Sequence, residues 1–171
     1  MDKLGFRKSF KADKQRNGGG GYVLRFLWLF RKANESGSRI CRALLRWYYV
    51  IYGLEIPWNT TIGPGLYLGH ARDITINPNS VIGSNCNIHK GVTIGKENRG
   101  KRKGAPIIGN QVWVGVNATI CGHISVGDDV LIAPNSYVNC DIPSHSIVIG
   151  NPCKIFPKEN ATLGYINKII S

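Results

Sequence analysis

Aliphatic residues recur at every sixth position through the second half of the chain, from Ile108 through Val114, Ile120, Val126, Ile132 and Val138. Four residues after each stage of this series stands a small or apolar partner: Val112, Ala118, Ile124, Val130, Ser136 and Ile142. The same frame runs upstream through Ile76, Ile82, Ile88 and Ile94, with Ser80, Cys86 and Val92 at the fourth place, and an earlier frame holds Ile62 and Leu68. Glycine repeatedly follows the aliphatic position, at Gly63, Gly69, Gly83, Gly95, Gly109, Gly115 and Gly127. Six fits neither the 3.6-residue period of a helix nor a long uninterrupted strand. It suits a coil of three short strands, about 18 residues per turn, in which each hexad forms one flat face and one corner. The prediction is a mainly β, parallel β-helix with its aliphatic side chains stacked inward.

Two interruptions break the period. Between Leu68 and Ile76 the step is eight, and the excess contains His70, Arg72 and Asp73; between Ile94 and Ile108 it is fourteen, and the segment "KENRGKRKGAP" is polar, glycine-rich and basic. Insertions of this kind leave the packed coil and reach a ligand or a neighbour. His70 lies two residues after Leu68, and His89 lies one residue after Ile88, three hexads further on. Both therefore fall on one edge of the prism, in adjacent coils. Imidazole titrates near neutrality, which suits a general base that takes a proton from an attacking hydroxyl. His123 and His145 lie outside both interruptions and are expected at solvent-facing corners.

The flanks read differently. Residues 1–20 are polar and basic, end in "NGGGG" and are expected to be disordered. Residues 21–57 carry "YVLRFLWLFRKA" and "SRICRALLRWYYVIYGL", read as two helices that pack on the base of the β-helix or on a neighbouring subunit, or else rest peripherally on an anionic membrane. The β-helix is assigned to 58–157 and a short helix or tail to 158–171. The net charge of +12 is concentrated in residues 1–60 and 96–103. No helix-turn-helix, RRM or zinc-finger pattern accompanies it, so nucleic acid is not the expected partner. The five cysteines, an odd number without CxxC spacing, and the lack of a signal peptide point to a reduced, cytoplasmic protein.

The repeat resembles the hexapeptide-transferase superfamily of left-handed parallel β-helix acyltransferases over roughly residues 58–157. Within it, "GLYLGHARDITINPNSVIGSNCNIHKGVTIG" is similar to the serine acetyltransferase branch, and "VIGNPCKI" to its closing segment. The resemblance implies an acetyl-CoA-dependent O-acetyltransferase, a homotrimer with its active site between subunits, and no metal. It places His70 on the catalytic histidine, inside a "DHA" motif that here reads "GHA". His89 occupies a position that is apolar in the serine enzymes and is a candidate for binding or orienting the acceptor; Asp73 is a candidate for orienting His70. Similarity to the sugar acetyltransferases of the superfamily assigns Val116, Pro134, Asn139, Cys140 and Lys154 to the CoA arm, although the usual Ala is Pro134 and the usual Thr-Lys pair is Asn139-Cys140. Lys101, Arg102 and Lys103 are further candidates for phosphate contact.

The acceptor depends on departures from the branch. The Asp before the catalytic histidine is Gly69 here, a second histidine of the extended loop aligns with Ala105, and the long helical N-terminal domain is replaced by about 57 residues of different character. Serine, held by its ammonium and carboxylate, needs charged partners in the pocket. The expectation is therefore a sugar of a surface polysaccharide or its precursor, with serine as the alternative acceptor and a non-catalytic β-helix binding protein as an alternative of another class. A zinc carbonic anhydrase on the same helix would need converging histidines, and the four present lack the near-neighbour pair.

Overall fold

The computed structural model describes residues 5–18 and 21–170. Three helices come first: α1 (Phe6–Asn17), α2 (Tyr22–Ser36) and α3 (Arg39–Tyr52). Short strands follow: β1 (Leu54–Glu55), β2 (Thr61–Ile62), β3 (Tyr67–Gly69), β4 (Ile74–Ile76), β5 (Val81–Ile82), β6 (Asn87–His89), β7 (Thr93–Gly95) and β8 (Ile107–Ile108). The series continues as β9 (Trp113–Val114), β10 (Thr119–Cys121), β11 (Ser125–Val126), β12 (Val130–Ile132), β13 (Tyr137–Val138), β14 (Ser146–Ile149) and β15 (Lys154–Pro157).

The strands wind into a three-faced prism. The first face orders β1-β4-β7-β10-β13, the second β2-β5-β8-β11, and the third β3-β6-β9-β12-β14-β15. All neighbours are parallel except β14 and β15, which close the last coil as an antiparallel pair. Every aliphatic residue of the six-residue frame points inward and stacks on its counterpart one coil away. The first face stacks Ile76, Ile94, Ile120 and Val138; the second Ile62, Ile82, Ile108 and Val126; the third Leu68, Ile88, Val114, Ile132 and Val148. All are buried. Burial of each such side chain is worth about 1.5–3 kcal/mol, so the repeat is the core.

The N-terminal expectation is corrected in part. Residues 1–4 and 19–20 lie outside the described residues, but 6–17 form a helix rather than a disordered tail. The reason is the open edge of the first coil, whose backbone groups have no strand to pair with and need partners. Asp13, fully buried, accepts from Gly65 N (3.0 Å) and Leu66 N (2.9 Å), and Arg31 of α2 donates to Ile62 O (2.6 Å) and Gly63 O (2.7 Å). The two side chains pair with each other, Arg31 Nε to Asp13 Oδ2 at 2.8 Å and Nη2 to Oδ1 at 3.0 Å. Arg16 donates to Gly65 O and to Asn87 Oδ1, and Asn17 bonds both Leu66 O and Leu68 N. Polar residues of α1 and α2 thus finish the ladder that the solenoid leaves open.

The two expected helices of 21–57 are present, and they behave differently. In α2, Phe26, Leu27, Leu29, Phe30 and Ala33 are buried, whereas α3 buries only Cys41 and Leu45. Gly53 ends α3 at φ +65, and the Asp73 carboxylate lies against it, so position 53 suits only glycine on both counts. At the other end, residues 158–170 form turns instead of the expected helix. They run as a strap along the corner between the second and third faces. Asp129 accepts from Ala161 N (3.0 Å), Thr162 N (3.0 Å) and Thr162 Oγ1 (2.6 Å), and Asn85 makes a reciprocal pair with Ile170, 3.0 Å each way.

Candidate active site

The first interruption of the repeat turns the chain from the third face to the first. His70 follows directly on β3, exposed, with φ +52; the residue in register with the left-handed corner positions Gly91, Asn117 and Asn135 of later coils is Asp73 at φ +54, whose N–H donates to Tyr52 O as Gly91 N does to Arg72 O and Asn117 N to Lys90 O. The left-handed turn at His70 therefore belongs to the interruption, on top of the one that the solenoid corner repeats at Asp73. One coil further, Gly69 pairs with His89, which brings the second imidazole to the same edge, as the spacing predicts.

His89 is held tightly. Its Nδ1 lies 2.9 Å from Val114 O, and because a carbonyl only accepts, Nδ1 carries the proton and Nε2 is left with a lone pair. The ring sits 4.6 Å from the Trp113 ring and 6.1 Å from Tyr67, centroid to centroid. Burial pushes its pKa below the ordinary histidine value, the nearby His70 adds to this, and the Val114 bond opposes it. His89 is neutral at neutral pH, a fixed hydrogen-bond acceptor beside an exposed histidine. The same ring explains Gly69: a Cβ there would stand 2.3 Å from His89 Cδ2 and 2.7 Å from Nε2. An acid at position 69 and an imidazole in this pose exclude each other.

The other residues singled out from sequence divide among three places. Asp73 turns to Gly53 and its backbone N–H donates to Tyr52 O (2.9 Å); among the hydrogen bonds of the described residues none joins it to His70, so the structure does not bring the two together. Val116 and Pro134 share the next corners of the same edge, where Asn135 N donates to Val116 O (2.9 Å). Asn139 and Cys140 follow β13, and Cys140 Sγ approaches Cys153 Sγ at 3.8 Å, next to the exposed Lys154. The second interruption folds back on itself through bridges from Glu97 to Lys103 and Gly104. There Arg102 is ion-paired to Glu97 at 3.2 Å, while Lys101 and Lys103 are exposed. His123 and His145 are exposed, and among the described residues no group of three His, Cys, Asp or Glu side chains could hold a metal ion.

The aromatic lining of the site is the part that the repeat did not flag. Tyr67, Asn87, Trp113, Leu131 and Ile147 occupy one register row on the outer side of the third face. With Pro134, Ile149, Leu163 and Tyr165 of the strap, three of them line a groove of about 740 Å³, and Trp113 joins that groove to His89. The signal was available: each residue of the row directly precedes an inward aliphatic.

A solenoid of this build, with a histidine pair at an edge and an apolar groove beside it, defines the class as a hexapeptide-repeat acyltransferase. The family described as "Bacterial transferase hexapeptide (six repeats)" matches residues 105–140. Serine acetyltransferase of Helicobacter pylori is 38% identical over 120 residues, which cover 70% of this chain and 70% of that protein. The chain belongs to the serine acetyltransferase family of these enzymes, and it is an acyltransferase that uses acetyl-CoA. Two solved structures agree and give the coil its left hand. Serine acetyltransferase from Brucella abortus superposes with TM-score 0.72 at 25% identity, covering 92% of this chain and 69% of that one. The Neisseria gonorrhoeae enzyme in complex with serine gives 0.69 at 27%, covering 88% and 67%.

These matches bear on two expectations. Coverage of 92% cannot be met by the β-helix and strap alone, so part of the helical segment is shared in fold with the serine enzymes instead of being foreign to them. The glycan acceptor finds no support among these relatives, and the serine alternative fits them better.

Proposed function

We propose that the chain transfers the acetyl group of acetyl-CoA to the hydroxyl of L-serine, with His70 as general base. The observation that carries this reading is the placement of an exposed His70 beside a fixed, neutral His89 at the edge of a solenoid whose relatives are serine acetyltransferases. His70 takes the hydroxyl proton as the oxygen attacks the thioester carbonyl. Collapse of the tetrahedral intermediate expels the CoA sulfur, which receives the proton back from the His70 imidazolium. His89 Nε2 accepts a hydrogen bond from the acceptor and so positions it. The CoA arm runs over Val116, Pro134, Asn139, Cys140 and Lys154, with Lys101 and Lys103 free to meet its phosphates. A homotrimer completes the site, because a thin prism with exposed flat faces gains by associating.

A second reading keeps the chemistry and changes the acceptor to a sugar hydroxyl. It rests on Gly69 and on Ala105, which is only 8% exposed: neither offers a charged partner for an amino acid. Release of free CoA thiol from acetyl-CoA, measured with L-serine and with a panel of sugars and nucleotide sugars, separates the two. Turnover on serine well above that on every sugar supports the first reading, and the reverse order overturns it in favour of the second.

A further inference from the structure

Helix α3 lies against the molecule along one edge only. Its opposite face carries Ile40 (74% exposed), Leu44 (43%), Trp47 (64%), Val50 (72%) and Ile51 (54%), a stripe with the i, i+4, i+7, i+10, i+11 spacing of one helical face. No described helix is long and apolar enough to cross a membrane. At 14 residues α3 is about 21 Å long, so its apolar face can lie in an interface but cannot span one.

Charge identifies what covers the stripe. α3 contains Arg39, Arg42 and Arg46 and no acid. The acids nearest in sequence are occupied: Glu35 accepts from Phe6 N (3.1 Å) and Glu55 from Thr75 Oγ1 (3.3 Å). Arg39 and Arg46 each precede a stripe residue, Ile40 and Trp47, and so border it along one side. Two copies of this face pressed together would oppose arginine to arginine with no carboxylate to answer. A tryptophan and flanking arginines around aliphatic side chains match instead the chemistry of a bilayer interface, where indole rings sit at headgroup level and guanidinium groups meet lipid phosphates.

We propose that the outer face of α3 docks this enzyme peripherally on an anionic lipid bilayer, with Ile40, Leu44, Trp47, Val50 and Ile51 entering the headgroup–acyl boundary and Arg39 and Arg46 holding the lipid phosphates, while Arg42 stays stacked 4.9 Å over the Trp58 ring. The helix lies parallel to the surface. The proposal is independent of which acceptor the enzyme uses, since it rests on residues that take no part in acetyl transfer.

The test is flotation of the full chain with vesicles of phosphatidylcholine alone and of phosphatidylcholine mixed with phosphatidylglycerol. The wild type is expected to float with the mixed vesicles, to stay behind with the neutral ones, and to be released by high salt. Because the stripe is exposed, Trp47→Glu/Val50→Glu is expected to fold normally, as read by circular dichroism and CoA release, and to lose flotation. Arg39→Gln/Arg46→Gln is expected to weaken partitioning about fivefold for each arginine lost. Equal flotation by wild type and Trp47→Glu/Val50→Glu, or none by the wild type, overturns the proposal. So does light scattering in which Trp47→Glu/Val50→Glu lowers the molar mass of the assembly, which would assign the stripe to a second copy of the chain.

Discussion

Gly69→Ala should disturb the site through His89 and not through the backbone. The added Cβ would fall 2.3 Å from His89 Cδ2, more than 1 Å inside ordinary contact, so the ring must swing away. That motion breaks the 2.9 Å bond from Nδ1 to Val114 O and the 4.6 Å packing on Trp113. The bond is worth about 1 kcal/mol and the aromatic contact about 0.5–1.5 kcal/mol, for a total near 2 kcal/mol. In a domain of this size that is a fall in Tm of about 4–8 °C. Four proteins decide the matter: wild type, Gly69→Ala, His89→Ala and the double variant, unfolded by heat at one protein concentration, because association would shift Tm with concentration. His89→Ala removes the obstacle, so Gly69→Ala added to it should cost under about 0.5 kcal/mol. Equal costs of Gly69→Ala in both backgrounds would refute the reasoning, as would a neutral single variant.

Other consequences can be measured separately. Arg31→Met leaves the fully buried Asp13 without its cation and two first-coil carbonyls without donors; it should cost about 3–5 kcal/mol in urea unfolding, and a loss below 1 kcal/mol would show that the cap is dispensable. His145, 2.9 Å from Asp129, has its pKa raised mainly by that bond, so its contribution is complete below the ordinary histidine value and lost as pH rises through the raised one. Hydrogen exchange in the strap, corrected for intrinsic rate, should accelerate across that window in the wild type and not in His145→Gln. At Asp129 burial alone would raise the pKa, but the bonds from Thr162, His145 and Ala161 outweigh it and hold the carboxyl low. Asp129→Asn should therefore expose residues 158–170 to protease at neutral pH, and unchanged protection would separate the strap from this carboxylate.

The inward ladders were legible because a solenoid imposes one environment on every sixth residue, and Ile82, Ile108 and Val126 meet each other for the same reason that they repeat. The edge shared by His70 and His89 followed from counting coils. The cap did not, since Asp13, Arg16 and Arg31 look like solvated charge until an unpaired first coil is put beside them. The strap was equally hidden: Asp129 and Asn85 are corner residues like Gln111, and nothing local says that a distant segment returns to two of them. Gly69 misled in the opposite direction. Its lost carboxylate suggested a different acceptor, whereas the structure ties the glycine to the space that His89 occupies.

The most direct measurement is the rate of CoA release from acetyl-CoA and L-serine by His70→Ala, taken beside the wild type. His70 is exposed and bears on no core contact, so the variant should unfold at the wild-type temperature. Loss of general-base catalysis should lower kcat by about 10²–10⁴-fold. A His70→Ala protein that keeps the wild-type kcat would contradict the assignment of His70 as the base.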